Sequence, residues 1–148
     1  MVALDTNILV YAYRPELPFH RSALRILSQL MNGDATWALT YQVLHEFYSV
    51  LTNPRLFAAP STPDEAIRAI SVLLASPSAV LIGETEGHFA VLERLLTSAA
   101  VLGPMVHDAR IVAICICHGV DELYSADRDF SRFSEHLNVT NPCNANET

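Results

Sequence analysis

The chain contains no lysine. Its nine basic residues are all arginine and stand against 16 acids, giving a formal net charge of −7. Affinity for a polyanion ordinarily comes from basic side chains and the counterions they release. The balance therefore argues against broad, sequence-independent binding to nucleic acid. Guanidinium forks can grip phosphates bidentately, but the lack of lysine reads more simply as codon bias. Long apolar runs are also missing. None approaches the roughly 18 residues of a membrane span. The opening MVALDTNILVYAY has no basic leader and is interrupted by Asp5, unlike a signal peptide. Cysteine is scarce: three, an odd number, which excludes a disulfide framework. These absences lead us to expect a cytoplasmic protein without a membrane segment. What is abundant is apolar: 51% of the 148 residues, enough for one domain over residues 1–140 with a full core and a polar, frayed tail over 141–148.

Strand and helix patterns alternate. Val2 to Leu4 is a short apolar strand ended by Asp5, and Thr6 to Tyr13 is helical up to Pro15. His20 to Met31 has apolar residues at helical spacing and Gly33 as its stop. Ala35 to Leu39 reads as a second strand. Tyr41 to Leu51 reads as a helix with Val43, Leu44, Phe47, Tyr48 and Leu51 on one face, ended by Asn53-Pro54. After a loop from Arg55 to Ser61, Thr62-Pro63-Asp64-Glu65 is a helix start: a threonine cap, proline first and glutamate third. That helix should reach Ala75. Val80 to Ile82 is a third strand. Glu86 to Ala100 is a helix with Phe89, Leu92, Leu95, Leu96 and Ala99 inward. His107 to His118, stopped by Gly119, is apolar all round from Ile111 to Cys117 and should be deeply buried. Leu123 to Ser125 is a fourth strand and Leu137 to Thr140 a fifth. Such alternation implies an α/β fold, a three-layer α/β/α sandwich with a mostly parallel sheet of four to five strands.

In such folds ligands bind beyond the carboxyl ends of the strands. Asp5 follows the first strand and Asp127 the fourth. Asp108 lies in the first turn of the buried helix, and Glu46 one to two turns into the helix after the second strand. All four can meet at one sheet edge. Each alone also has a plain structural role. Asp5, Asp108 and Asp127 could be helix caps or turn residues. Glu46 shares its helix face with Gln42, His45 and Ser49, opposite the apolar stripe, and could be solvated. The joint pattern is what points to chemistry. Clustered carboxylates repel unless a cation joins them. Hard ions such as Mg²⁺ or Mn²⁺ take oxygen ligands, activate water and neutralise phosphoryl charge. An all-acid set therefore suits phosphodiester chemistry better than peptide hydrolysis.

Other motifs are weaker. His45-Glu46 opens like a zinc-protease helix, but position 49 is Ser where a second His is needed. On a helix Cys117 points away from Cys115 and His118, so buried apolar cysteines explain that run better. Asp5-Thr6 lacks the glycine of an aspartic protease, and Asn7 stands where dehalogenase-type phosphatases place a second Asp.

Together, LDTNILVYA, the Glu of VLHEFYSVLTNPR, the Asp of HDARIVA and YSADRDFSRF resemble the PIN domain, in particular the VapC-type toxins of bacterial toxin–antitoxin pairs in a style common in mycobacteria. The resemblance runs from Val2 to about Val139. It implies strand order 3-2-1-4-5, a Mg²⁺- or Mn²⁺-dependent endoribonuclease cutting structured RNA such as transfer or ribosomal RNA, a VapB-type antitoxin partner and a homodimer. It implies that Asp5, Glu46, Asp108 and Asp127 are the catalytic, metal-holding acids and Asp129 a possible fifth. Asn7 and Ser125 match polar positions that orient those acids, Ser125 where threonine is more usual. Arg110 would pair with a neighbouring acid. The alternatives are a PIN-like module that binds RNA or a partner without cutting, and a metal-dependent phosphatase.

Overall fold

The computed structural model describes residues 1–143. Its elements are β1 (Val2–Leu4), α1 (Thr6–Tyr13), α2 (His20–Asn32), β2 (Trp37–Thr40), α3 (Tyr41–Leu51), α4 (Pro63–Leu74), β3 (Ala79–Ile82), α5 (His88–Ser98), α6 (Val106–Cys117), β4 (Glu122–Tyr124) and β5 (Asn138–Thr140). Two 3₁₀ turns, Gly103–Met105 and Arg128–Phe133, precede α6 and follow β4. The five strands lie in the order β3-β2-β1-β4-β5, and every neighbouring pair is parallel. This is the order that the family resemblance implied.

Chain direction explains the layering. From β1 to β3 the chain steps one way across the sheet; from β3 to β5 it crosses back and goes the other way. Right-handed crossovers then put α1–α4 on one face and α5–α6 on the other. The helix contacts divide accordingly: α1 packs on α2 and α3, α3 on α4, and α5 on α6. The direction reverses between β1 and β4, which pair Val2 with Glu122 and Leu4 with Tyr124. In open parallel sheets that reversal opens the crevice used for ligands.

The core holds Leu4, Ile8, Trp37, Leu39, Phe47 and Leu123, all fully buried. The Trp37 indole N–H donates to Ser78 Oγ at 3.1 Å, so its one polar atom is satisfied. In α6, Ile111 to Cys115 are buried without exception, while Cys117 is half-buried near the helix end. The expected start of α4 is a complete capping box: Glu65 N–H donates to Thr62 Oγ1 and Thr62 N–H to the Glu65 carboxylate.

Some expectations need correction. Phe89 does not face inward; it is 69% exposed, and His88 takes the buried place in the first turn of α5, while Leu92, Leu95, Leu96 and Ala99 face the core as expected. The second strand covers Trp37 to Thr40 and not Ala35 to Leu39, because Trp37 is where pairing with β3 begins, opposite Ala79. In the stretch expected to fray, Cys143 is buried in the core and its N–H donates to Asn141 Oδ1. Residues 144–148 of that tail lie outside the described residues. Among the described residues no helix is long and apolar enough to cross a membrane.

Candidate active site

Asp5 continues the β1–β4 ladder: its N–H donates to Tyr124 O at 2.9 Å. It is 5% exposed. Its carboxylate caps α1 by accepting from Thr6 N–H at 2.8 Å. The other oxygen accepts from Ser125 Oγ at 2.7 Å and Asn7 Nδ2 at 2.6 Å. Asn7 Oδ1 accepts from Ala126 N–H, and Ser125 Oγ from Asp127 N–H, both at 3.0 Å. Asn7 and Ser125 thus bolt the end of β1 to the end of β4 and fix Asp5 between them. Burial nonetheless prevails over those donors. It pushes the Asp5 carboxyl up to about 6, with the Ser125 and Thr6 hydrogen bonds opposing and the Glu46 and Asp108 charges adding to the rise.

Asp108, in the first turn of α6, is likewise raised, chiefly by burial and then by Asp127, Glu46 and Asp129. Glu46 lies on the exposed side of α3, as its helix position implies, yet it is not merely solvated. Thr6 Oγ1 donates to its Oε2 at 2.8 Å across 40 residues of sequence. Asp127 caps the Arg128–Phe133 turn, accepting from Asp129 N–H at 2.8 Å. Asp5 and Asp127 are therefore caps and members of an acid cluster at once; the two readings were never exclusive.

Asp5, Glu46, Asp108 and Asp127 line one cavity of about 490 Å³. Asp129 lines an adjoining groove of about 610 Å³ together with Glu46, Asp108, His45, His107 and Arg110. The two hollows share Glu46 and Asp108, so the acids form the saddle of one trough. Arg110 pairs with Glu84, whose carboxylate also accepts from Gln42 Nε2 at 3.2 Å. Glu84 and Thr6 were not foreseen. Glu84 follows a strand end, the signal that identified Asp5, and Thr6 opens the helix that Asp5 caps. Cys115 is no rival site: burial pushes its thiol up to about 12.

The donor set fits a hard divalent cation. Its oxygens are carboxylate oxygens, and burial, with the neighbouring acids adding to it, raises Asp5 and Asp108 above the ordinary carboxylate value, a cost that a bound cation would relieve. Among the described residues no three His, Cys, Asp or Glu side chains form a ready ligand cage.

A model of the PIN domain matches residues 2–136. The chain belongs to the PIN-domain family. It is 35% identical over 133 residues to "Ribonuclease VapC43" of Mycobacterium tuberculosis, covering 90% of each chain. It is 30% identical over 138 residues to "Ribonuclease VapC48" of the same species, covering 93% of this chain and 94% of that one. This PIN domain also superposes on VapBC2 of Rickettsia felis, solved bound to a promoter DNA fragment, with a TM-score of 0.69 at 19% identity, covering 95% and 98% of the two chains. A similar match is VapC20 of Mycobacterium tuberculosis, described as a sarcin–ricin loop cleaving toxin, with a TM-score of 0.67 at 18% identity over 88% and 93%. At those identities the structures speak for the fold, which they share with this chain.

Proposed function

We propose that this PIN domain is a Mg²⁺- or Mn²⁺-dependent endoribonuclease, the toxin of a toxin–antitoxin pair, hydrolysing phosphodiester bonds of structured RNA such as transfer or ribosomal RNA. The observation that carries the reading is the meeting of Asp5, Glu46, Asp108 and Asp127 around one cavity at the reversal point of the sheet. It is supported by relatives named as ribonucleases along nearly the whole chain. Asp5, Asp108 and Asp127 are the residues to hold the cation, directly or through water, with Glu46 beside them. When bound, such an ion supplies Lewis acidity: it acidifies water and neutralises charge on the phosphoryl group.

The chain's own groups do the positioning. Asn7 and Ser125 fix the Asp5 carboxylate in one orientation. Thr6 engages one oxygen of Glu46 and leaves the other to orient an attacking water and take its proton. In-line attack leaves a 5′-phosphate and a 3′-hydroxyl. Asp129 borders the site from the adjoining groove, where it adds negative charge near Asp108. The same reading implies a homodimer in the cytoplasm and a VapB-type antitoxin, for which an acidic pocket offers a basic side chain a natural seat; VapBC assemblies are among the similar structures. The deciding assay is RNA cleavage with Mn²⁺ by the Asp5→Asn and Asp108→Asn proteins. Both should be inactive, and full cleavage by either would overturn the assignment.

A further inference from the structure

The cavity that holds the four acids has a second wall of different chemistry. Beside Asp5, Glu46, Asp108 and Asp127, its lining includes Tyr11 from α1, Val50 from α3, and Leu56 and Phe57 from the loop after α3. None of the side chains lining this cavity is basic. Apart from the ion that the acids would hold, an RNA strand entering it meets no basic side chain, so release of counterions to lysine or arginine cannot supply affinity there. What remains is apolar and aromatic surface, on which unpaired bases stack whatever their sequence.

The aromatic wall is built to stay in place. The loop turns at Asn53, whose carbonyl accepts from Leu56 and Phe57 N–H and whose side chain accepts from Arg55 N–H. Ser61 N–H returns to Leu51 O and closes the loop onto the end of α3. Arg14 supports it. Its guanidinium lies over the Phe57 ring, 4.0 Å from the centroid, and donates to Ala59 O at 2.9 Å. Phe57 lines the cavity of the acids, and Arg14 lies against its ring. Such a cation–aromatic pair holds a ring rigidly. Tyr11, which lines the same cavity, is fixed by an edge contact with Phe19, 5.3 Å between centroids, and its carbonyl is bonded to His20 Nδ1 at 2.9 Å.

We infer that Phe57, in the same cavity as the acids and Tyr11, is the base-stacking subsite for an unpaired nucleotide flanking the cleaved phosphodiester. The inference rests on the ribonuclease reading and deepens it by naming the side chain on which the base next to the cut would stack. Phe57 is then a specificity residue; it places the strand and takes no part in proton transfer.

The test uses the full chain and short single-stranded RNAs of mixed sequence carrying 2-aminopurine, whose fluorescence is quenched on stacking. Binding is measured with Ca²⁺ and cleavage with Mn²⁺. Phe57→Leu should raise Kd and KM by roughly tenfold to a hundredfold, the loss of one base–aromatic stack, with kcat little changed. Phe57→Tyr should restore both. Replacing the flanking nucleotide by an abasic one should weaken wild type as much as Phe57→Leu does, and should weaken that variant no further. This abasic series on wild type decides the matter even if Phe57→Leu folds poorly. Cleavage with unchanged KM for Phe57→Leu and for every abasic RNA would overturn the subsite and leave the nuclease standing. Phe57-dependent quenching without any cleavage would support the subsite and overturn the nuclease. Neither quenching nor cleavage would overturn both.

Discussion

Raising the pH of the metal-free protein from 4 to 7.5 should destabilise it. Asp5 titrates near its ordinary value of 3.8 when unfolded and at about 6 when folded. Between those values the native state holds a proton that the unfolded chain has released, so stability falls as pH rises and levels off above the folded value. The difference, about two pH units, corresponds to about 3 kcal/mol, or roughly 6–12 °C in Tm for a domain of this size. Asp108 is shifted in the same direction and adds to the fall. Exposed acids held low, such as Glu16 and Glu65, act with the opposite sign, which is why the comparison must be with a variant. In Asp5→Asn the decline across this window should largely vanish. At pH 7.5, Mn²⁺ at a hundred times its Kd should return about 2.7 kcal/mol to wild type and little to the variant. Scanning calorimetry at half-unit pH steps, with EDTA or with Mn²⁺, measures all of this. A wild-type Tm that tracks that of Asp5→Asn at every pH, and does not respond to Mn²⁺, would refute the account of Asp5 as a strained carboxylate awaiting a cation.

Three further outcomes follow from particular contacts. Thr6→Val keeps shape but frees Glu46; RNA cleavage should drop about tenfold, with stability changed by no more than about 1 kcal/mol in urea melts. Ser125→Ala removes a donor from the Asp5 carboxylate and so raises its pKa further; the acid limb of the pH–activity profile should move up by about one unit. Thr62→Ala dismantles the α4 capping box, far from the acids, and should cost about 1 kcal/mol while leaving kcat/KM for RNA untouched.

The acid cluster was legible because strand ends and helix starts share an edge in a parallel sheet, so short motifs far apart in sequence could be placed together. The strand order was not legible from pattern; it came through the family resemblance. Glu46 needed the structure, since nothing in the periodicity of α3 tells a solvated glutamate from one caught by a hydroxyl on α1. On α5, His88 and Phe89 are adjacent candidates for the same inward register, and hydrophobicity favours the one that is in fact exposed. The 3₁₀ turns before α6 and after β4 escaped because three-residue periodicity over so few positions resembles loop. The Phe57 wall escaped because a loop aromatic has no periodicity to betray which cavity it lines.

Asp5 is held by Ser125, 120 positions later in the sequence. The strand beside it, β4, likewise pairs with β1 across almost the whole sequence. Contacts of such separation form late. During synthesis, the first acid of the site therefore has Thr6 and Asn7 at once but waits for Ser125 until β4 has been made. For an enzyme that cuts RNA, that ordering has a protective effect: a nascent chain that has not yet exposed β4 lacks the hydroxyl that fixes Asp5, so the site is completed only after that strand can pair.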